Sequence, residues 1–157
     1  MYKKNHNQGF TLIEVLLVIG IISILASIVI VAINPTRQLA QARNTQRWGN
    51  VNAILNGVHQ YAIDNKGVMP ISITADTAEI CATGVASSTC ASNALINLSV
   101  LTNNETYITA IPKDPSGPVL NDNGTGYFIK KSANGRITVS APNAGNEVVS
   151  EEISVSR

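Results

Sequence analysis

Charge and aromatic rings are scarce in this chain. Only 13% of its 157 residues are charged, about half the ~25% usual in soluble domains, and one Trp, four Tyr and two Phe make up its aromatics. Eleven Lys and Arg against ten Asp and Glu leave a net charge of +1. That balance excludes a nucleic-acid binder acting by bulk charge. With 45% apolar residues, it also excludes a disordered chain, which pairs low hydrophobicity with high net charge. Histidine occurs twice, and none accompanies a Ser or Cys nucleophile in the C-terminal half. No glycine-rich phosphate loop follows a strand pattern, and the carboxylates are scattered. The sequence therefore offers no catalytic residues and implies no cofactor.

The mean hydropathy is nevertheless positive, at +0.14, because the apolar residues are concentrated. Val15 to Ile33 reads VLLVIGIISILASIVIVAI, without a single charge. About 20 such residues cross a ~30 Å hydrocarbon core as a helix. Lys3 and Lys4, with no acid before them, place the N-terminus in the cytoplasm, whereas Arg37, Arg43 and Arg47 beyond the span pull the other way. A secretory signal cut near Ala26 or Ala32 fits less well, since its apolar region is shorter and carries no carboxylate. Glu14 is such a carboxylate. Within a membrane helix an acid is costly and marks a functional site by default; the plainer alternative is a place in the headgroup layer.

The string Lys3-Lys4-Asn5-His6-Asn7-Gln8-Gly9-Phe10-Thr11-Leu12-Ile13-Glu14-Val15 resembles the signal of type IV prepilins and of type II secretion pseudopilins. The likeness covers residues 3–33, and its elements occur in register: basic leader, Gly9, Phe10, Glu14, uncharged run. It implies that a prepilin peptidase cuts between Gly9 and Phe10 and methylates the new Phe10 amine. It implies a single-pass precursor in the inner membrane, handed to inner-membrane assembly machinery and polymerised as a homo-oligomer into an extracellular pilus filament. Cleavage creates an amine in a poor solvent, and Glu14 of a neighbouring copy can meet it. A buried charge is expensive unpaired and tolerable paired, so Glu14 is expected to set assembly register.

Asn34-Pro35 predicts a helix break or restart, with Thr36 as a cap for the next segment. A second helix then reads to about Asn65: Val51, Ile54, Leu55, Val58 and Ala62 share one face, and Gly67 and Pro70 follow as stop signals. Arg43 and Arg47 lie four residues apart. They suit contact with an anionic partner or a solvated helix face, and the absence of interleaved aromatics favours the solvated face. Trp48 fits either the membrane interface or the underside of a head.

Beyond Val68 the pattern is β-rich. Residues 126–131 and 136–140 read as strands joined by a tight turn at Asn134-Gly135, with an edge strand from Glu147 to Val155. Residues 83–104, rich in Thr, Ser, Ala, Gly and Asn, read as a long surface connection. Cys81 and Cys90 read as a disulfide if the head lies outside the cytoplasm, since zinc would need more ligands. The run Ile111-Pro112-Lys113-Asp114-Pro115 resembles a stretch of major pseudopilins near a calcium site. Asp114 and Asp122 could supply oxygen ligands, although Asn121-Asp122-Asn123-Gly124 is also ordinary turn chemistry. Acceptor motifs for N-glycosylation at Asn97, Asn104 and Asn123 arise readily by chance in so Asn- and Thr-rich a chain.

The expected fold is α+β: a long N-terminal helix packed on a small antiparallel sheet. The expected divisions are a leader (1–9), a membrane and assembly helix (10–34), an amphipathic helix (35–66) and a head (67–157). The expected function is that of a pilin-like filament subunit. The alternatives are a pseudopilin of a secretion or DNA-uptake system and a bitopic anchor that never polymerises.

Overall fold

The computed structural model describes residues 9–157. The leader segment 1–8, with Lys3 and Lys4, lies outside the described residues. The chain divides into two compact units, up to Gln38 and from Leu39 onward.

In the first unit, α1 runs from Leu12 to Ile33. Its 22 residues span roughly 33 Å at 1.5 Å per residue. It is long and apolar enough to cross a membrane. Hydrocarbon offers no partner for a hydroxyl, and Ser23 and Ser27 donate instead to the carbonyls of Ile19 and Ile24, at 2.7 and 2.8 Å. Asn34 adopts a left-handed conformation (φ 48°) and ends α1. The expected restart is present: α2, Pro35–Asp64, begins on the proline, whose missing N–H costs nothing in the first helical turn. The expected cap is corrected, however. Asn34 caps α2 rather than Thr36, accepting from the Arg37 amide and the Thr36 hydroxyl at 3.3 and 2.8 Å.

The second unit is the head. From Leu39 onward α2 buries Ala40, Asn44, Arg47, Val51, Ile54, Leu55, Gly57, Val58 and Ala62, one face by their spacing. Each large aliphatic there contributes about 1.5–3 kcal/mol on burial. This face packs into a core with Tyr127, Ile129, Ile137 and Val139 of the sheet, so the head's small sheet gains the apolar partner that its few aromatics leave wanting.

Four antiparallel strands pair in the order β1 (Ala78–Cys81), β2 (Gly124–Lys131), β3 (Ile137–Ser140), β4 (Ser154–Ser156). The β2–β3 hairpin closes as expected. The Gly135 amide donates to the Ser132 carbonyl at 2.9 Å and Gly135 takes φ 82°, a three-residue loop with a left-handed final residue. Three features depart from the sequence pattern. β1 is a strand that no local pattern signals. The edge strand is only three residues, because the chain from Glu147 is drawn toward α2 before it can pair. Residues 83–104 are more than a surface connection: they form the short helices α3 (Ser87–Ser92) and α4 (Ser99–Thr102) and bury Leu95, Ile96, Leu98 and Leu101. Cys81 and Cys90 are joined in a disulfide beside Leu95.

Candidate functional site

Two places concentrate polar chemistry, one in each unit. In the first, Thr11 stands in extended conformation at the head of α1, and Glu14 follows in its first turn. The Thr11 amide and hydroxyl each donate to Glu14 Oε2 at 2.8 Å, and the Glu14 amide donates to the Thr11 hydroxyl at 3.3 Å. This is a reciprocal capping box, which satisfies amides that a helix start leaves unpaired. The carboxylate thus has an intrachain task. The Thr-x-x-Glu spacing that signals it is plain in the sequence. Gly9 and Phe10 precede the helix, exposed, with open space where a Cβ on Gly9 would stand.

In the head, Arg47 is wholly buried. Its Nε and Nη2 donate to the two oxygens of Asp114 at 2.7 and 3.0 Å, a bidentate pair. Nη1 donates to Asn44 Oδ1 and Glu147 Oε1, each at 2.8 Å, and Nη2 also reaches the Ser116 hydroxyl at 2.6 Å. Arg43 grips Glu147 with a second bidentate contact. Two cations therefore meet two carboxylates, joining α2 to the Pro-Lys-Asp-Pro loop and to the C-terminal segment. The expected solvated face is corrected: Arg47 is a core residue and Arg43 is internally paired. Hydrogen bonding from Arg43 chiefly, and from Arg47, holds the Glu147 carboxyl down at about 2 despite desolvation. The bond to Glu147 raises the Arg43 guanidinium above its ordinary value, and the bonds to Asp114 first, then to Glu147, raise that of Arg47 despite desolvation.

Asp114 also accepts from the Ser116 amide at 2.8 Å and from Asn143 at 3.2 Å, so a cation arriving at Asp114 would compete with Arg47. Asp122 is exposed in a turn closed by the Gly124 amide on the Asn121 carbonyl at 2.9 Å. Among the described residues no group of three His, Cys, Asp or Glu side chains is placed to hold a metal. Trp48 packs against the core and donates to Glu151 at 3.0 Å, which puts it under the head. A further buried acid, Glu79, accepts from the amides of Val119, Leu120 and Gly126 at 2.7–3.0 Å. Gly126, at φ 84°, lies where the β1–β2 register shifts between Glu79 and Cys81.

A signal for Arg47 did exist: it precedes Val51 by four residues and so extends the apolar stripe of α2. Its partners, 67 and 100 positions away, carry no local signal.

Residues 4–30 match the family described as the prokaryotic N-terminal methylation motif. The chain thus carries the prepilin signal common to type IV pilins and pseudopilins, followed by an apolar helix and an α+β head. Such a signal implies processing by prepilin peptidase and a part in pilus assembly. No curated protein and no solved structure matches the chain.

Proposed function

We propose that this chain is the structural subunit of a type IV pilus-like filament. The carrying observation is the methylation motif at residues 4–30, placed directly before a 22-residue apolar helix. The precursor enters the inner membrane with its N-terminus in the cytoplasm and its disulfide-bonded head outside. Peptidase cuts between Gly9 and Phe10 and methylates the Phe10 amine, where glycine offers an unhindered backbone.

The capping box explains how Glu14 can wait in the membrane before assembly. Its carboxylate is held by Thr11, whose amide survives cleavage because the Phe10–Thr11 bond is untouched. During polymerisation the Phe10 amine of a neighbouring copy approaches Glu14, and each charge relieves the other. The role of the chain is structural rather than catalytic. Electron microscopy of sheared surface material, with mass spectrometry of its N-terminus, tests the proposal. Fibres whose subunits begin at methylated Phe10 support it; a precursor left uncut beside its peptidase makes the chain a plain anchor.

The Pro-Lys-Asp-Pro loop, which resembles a stretch of major pseudopilins, favours a second reading as a pseudopilin. Filaments that appear only on overexpression would select it.

A further inference from the structure

Large apolar side chains on a folded head are normally covered. Ile71 is 100% exposed and Val68 63%, both in the loop between α2 and β1. Beside them a shallow hollow of about 460 Å³ is lined by Val68, Met69, Ile71 and Lys131, among others. Exposed Lys66 and Arg136 adjoin its glycines, Gly67 and Gly135. No acid lines the hollow. This end of the head is both greasy and basic.

The opposite combination occurs elsewhere on the same head. A cleft of about 400 Å³ on the outer face of the sheet has Phe128 and Pro142 among its lining residues, together with the exposed acids Glu151 and Glu152 against a single cation, Lys130. None of these charges forms an ion pair among the described residues. A helical filament grows through heterologous contacts, in which two different patches of one chain meet on successive copies. Such a chain must carry a complementary pair of patches. Exposed apolar residues supply contact area, and opposite charge fixes the match.

We infer that the basic Lys66–Ile71 loop of one copy docks into the acidic cleft at Glu151 and Glu152 of a second copy, forming a heterologous contact between successive heads of the assembled filament. Ile71 and Val68 enter against Phe128 and Pro142, and Lys66, Lys131 and Arg136 face the two carboxylates. The inference rests on the filament reading above. Because Lys66, Arg136, Glu151 and Glu152 are exposed, the contact weakens as salt rises.

Charge exchange tests it in the producing cells, on the full chain. Lys66→Glu with Arg136→Glu, and separately Glu151→Lys with Glu152→Lys, should each lower the yield of sheared filaments at least about tenfold, because like charges then oppose one another. Combining all four changes should restore the yield to within roughly threefold. Ile71→Ser, which alters no charge, should lower it as well. Membrane insertion and thermal melting of each variant establish that the head is folded. If folded variants of either charge class assemble normally, or the combined exchange restores nothing, the inference is overturned. If filaments persist while the Lys66/Arg136 variant loses binding to phosphatidylglycerol vesicles, the loop docks on lipid instead, and the inference also fails. A wild-type chain that is never found in filaments overturns the filament reading itself, whatever the variants do.

Discussion

Arg47 shows how much a single side chain can join. A buried guanidinium is tolerable because Asp114 and Glu147 neutralise it and its donors are matched. Arg47→Ala strands Asp114 without its cation, and the head should lose about 3–5 kcal/mol, seen as a lower urea midpoint at unchanged slope. Replacing the pair together, Arg47→Met with Asp114→Leu, should be less damaging than Arg47→Ala, since no charge is stranded. Two groups set the pH limits. Glu147 is held at about 2 in the folded head, against ~4.3 in an unfolded chain. Its contribution is therefore full above about pH 4 and lost as pH falls through about 2. Tyr127 is pushed up to about 12, chiefly by burial, against ~10 when unfolded. Its contribution is present below about pH 10 and lost as pH rises through about 12. Ultraviolet titration of the phenolate, run beside circular dichroism, should show the last tyrosine ionising together with unfolding.

At the scale of elements, two glycines with similar backbones separate strain from crowding. Gly135, at φ 82°, has open space where a Cβ would stand, so Gly135→Ala should cost about 1–2 kcal/mol from backbone strain alone. Gly126, at φ 84°, would place that Cβ 2.5 Å from Asp114 Cβ and 2.6 Å from the Gly117 carbonyl. Gly126→Ala should therefore cost clearly more and loosen the Asp114 loop, with thermal melts ranking the two. Opening the Cys81–Cys90 bridge releases a short loop, and reductant should lower head stability by about 2–3 kcal/mol. The legibility of these elements follows their range. The hairpin and the α2 stripe could be read because turn chemistry and helical period are local. β1 and the 83–104 helices could not: four-residue strands and one-turn helices carry too little period, and their order comes from burying Ile80, Leu98 and Leu101.

For the whole molecule, the decisive prediction concerns Glu14. Glu14→Leu should leave membrane insertion intact, as judged by resistance to carbonate extraction, and abolish filaments, because the Phe10 amine then lacks its partner. Normal filaments from that variant would end the register proposal. Thr11→Ala provides the contrast. It weakens the cap, a change usually worth about 0.5–2 kcal/mol, yet keeps the carboxylate, so assembly should be slowed rather than lost.

By itself the sequence determined what depends on neighbouring residues: the apolar helix, the methylation motif of residues 4–30, the restart at Pro35, the α2 face and the β2–β3 turn. Length, period and turn residues decide these within a few positions of the chain. Only the tertiary structure decided what becomes of the charges. Residues 36–66 carry +3 and residues 67–157 carry −3, a complementarity visible as a sum but not as a pairing. Arg43 and Arg47 find Glu147 and Asp114 across 67–104 positions, because folding brings α2, the Pro-Lys-Asp-Pro loop and the C-terminal segment to one point around the buried Arg47. In that setting a stripe that looks solvated becomes the polar centre of the head, since a buried cation persists only where its counter-charges are buried with it.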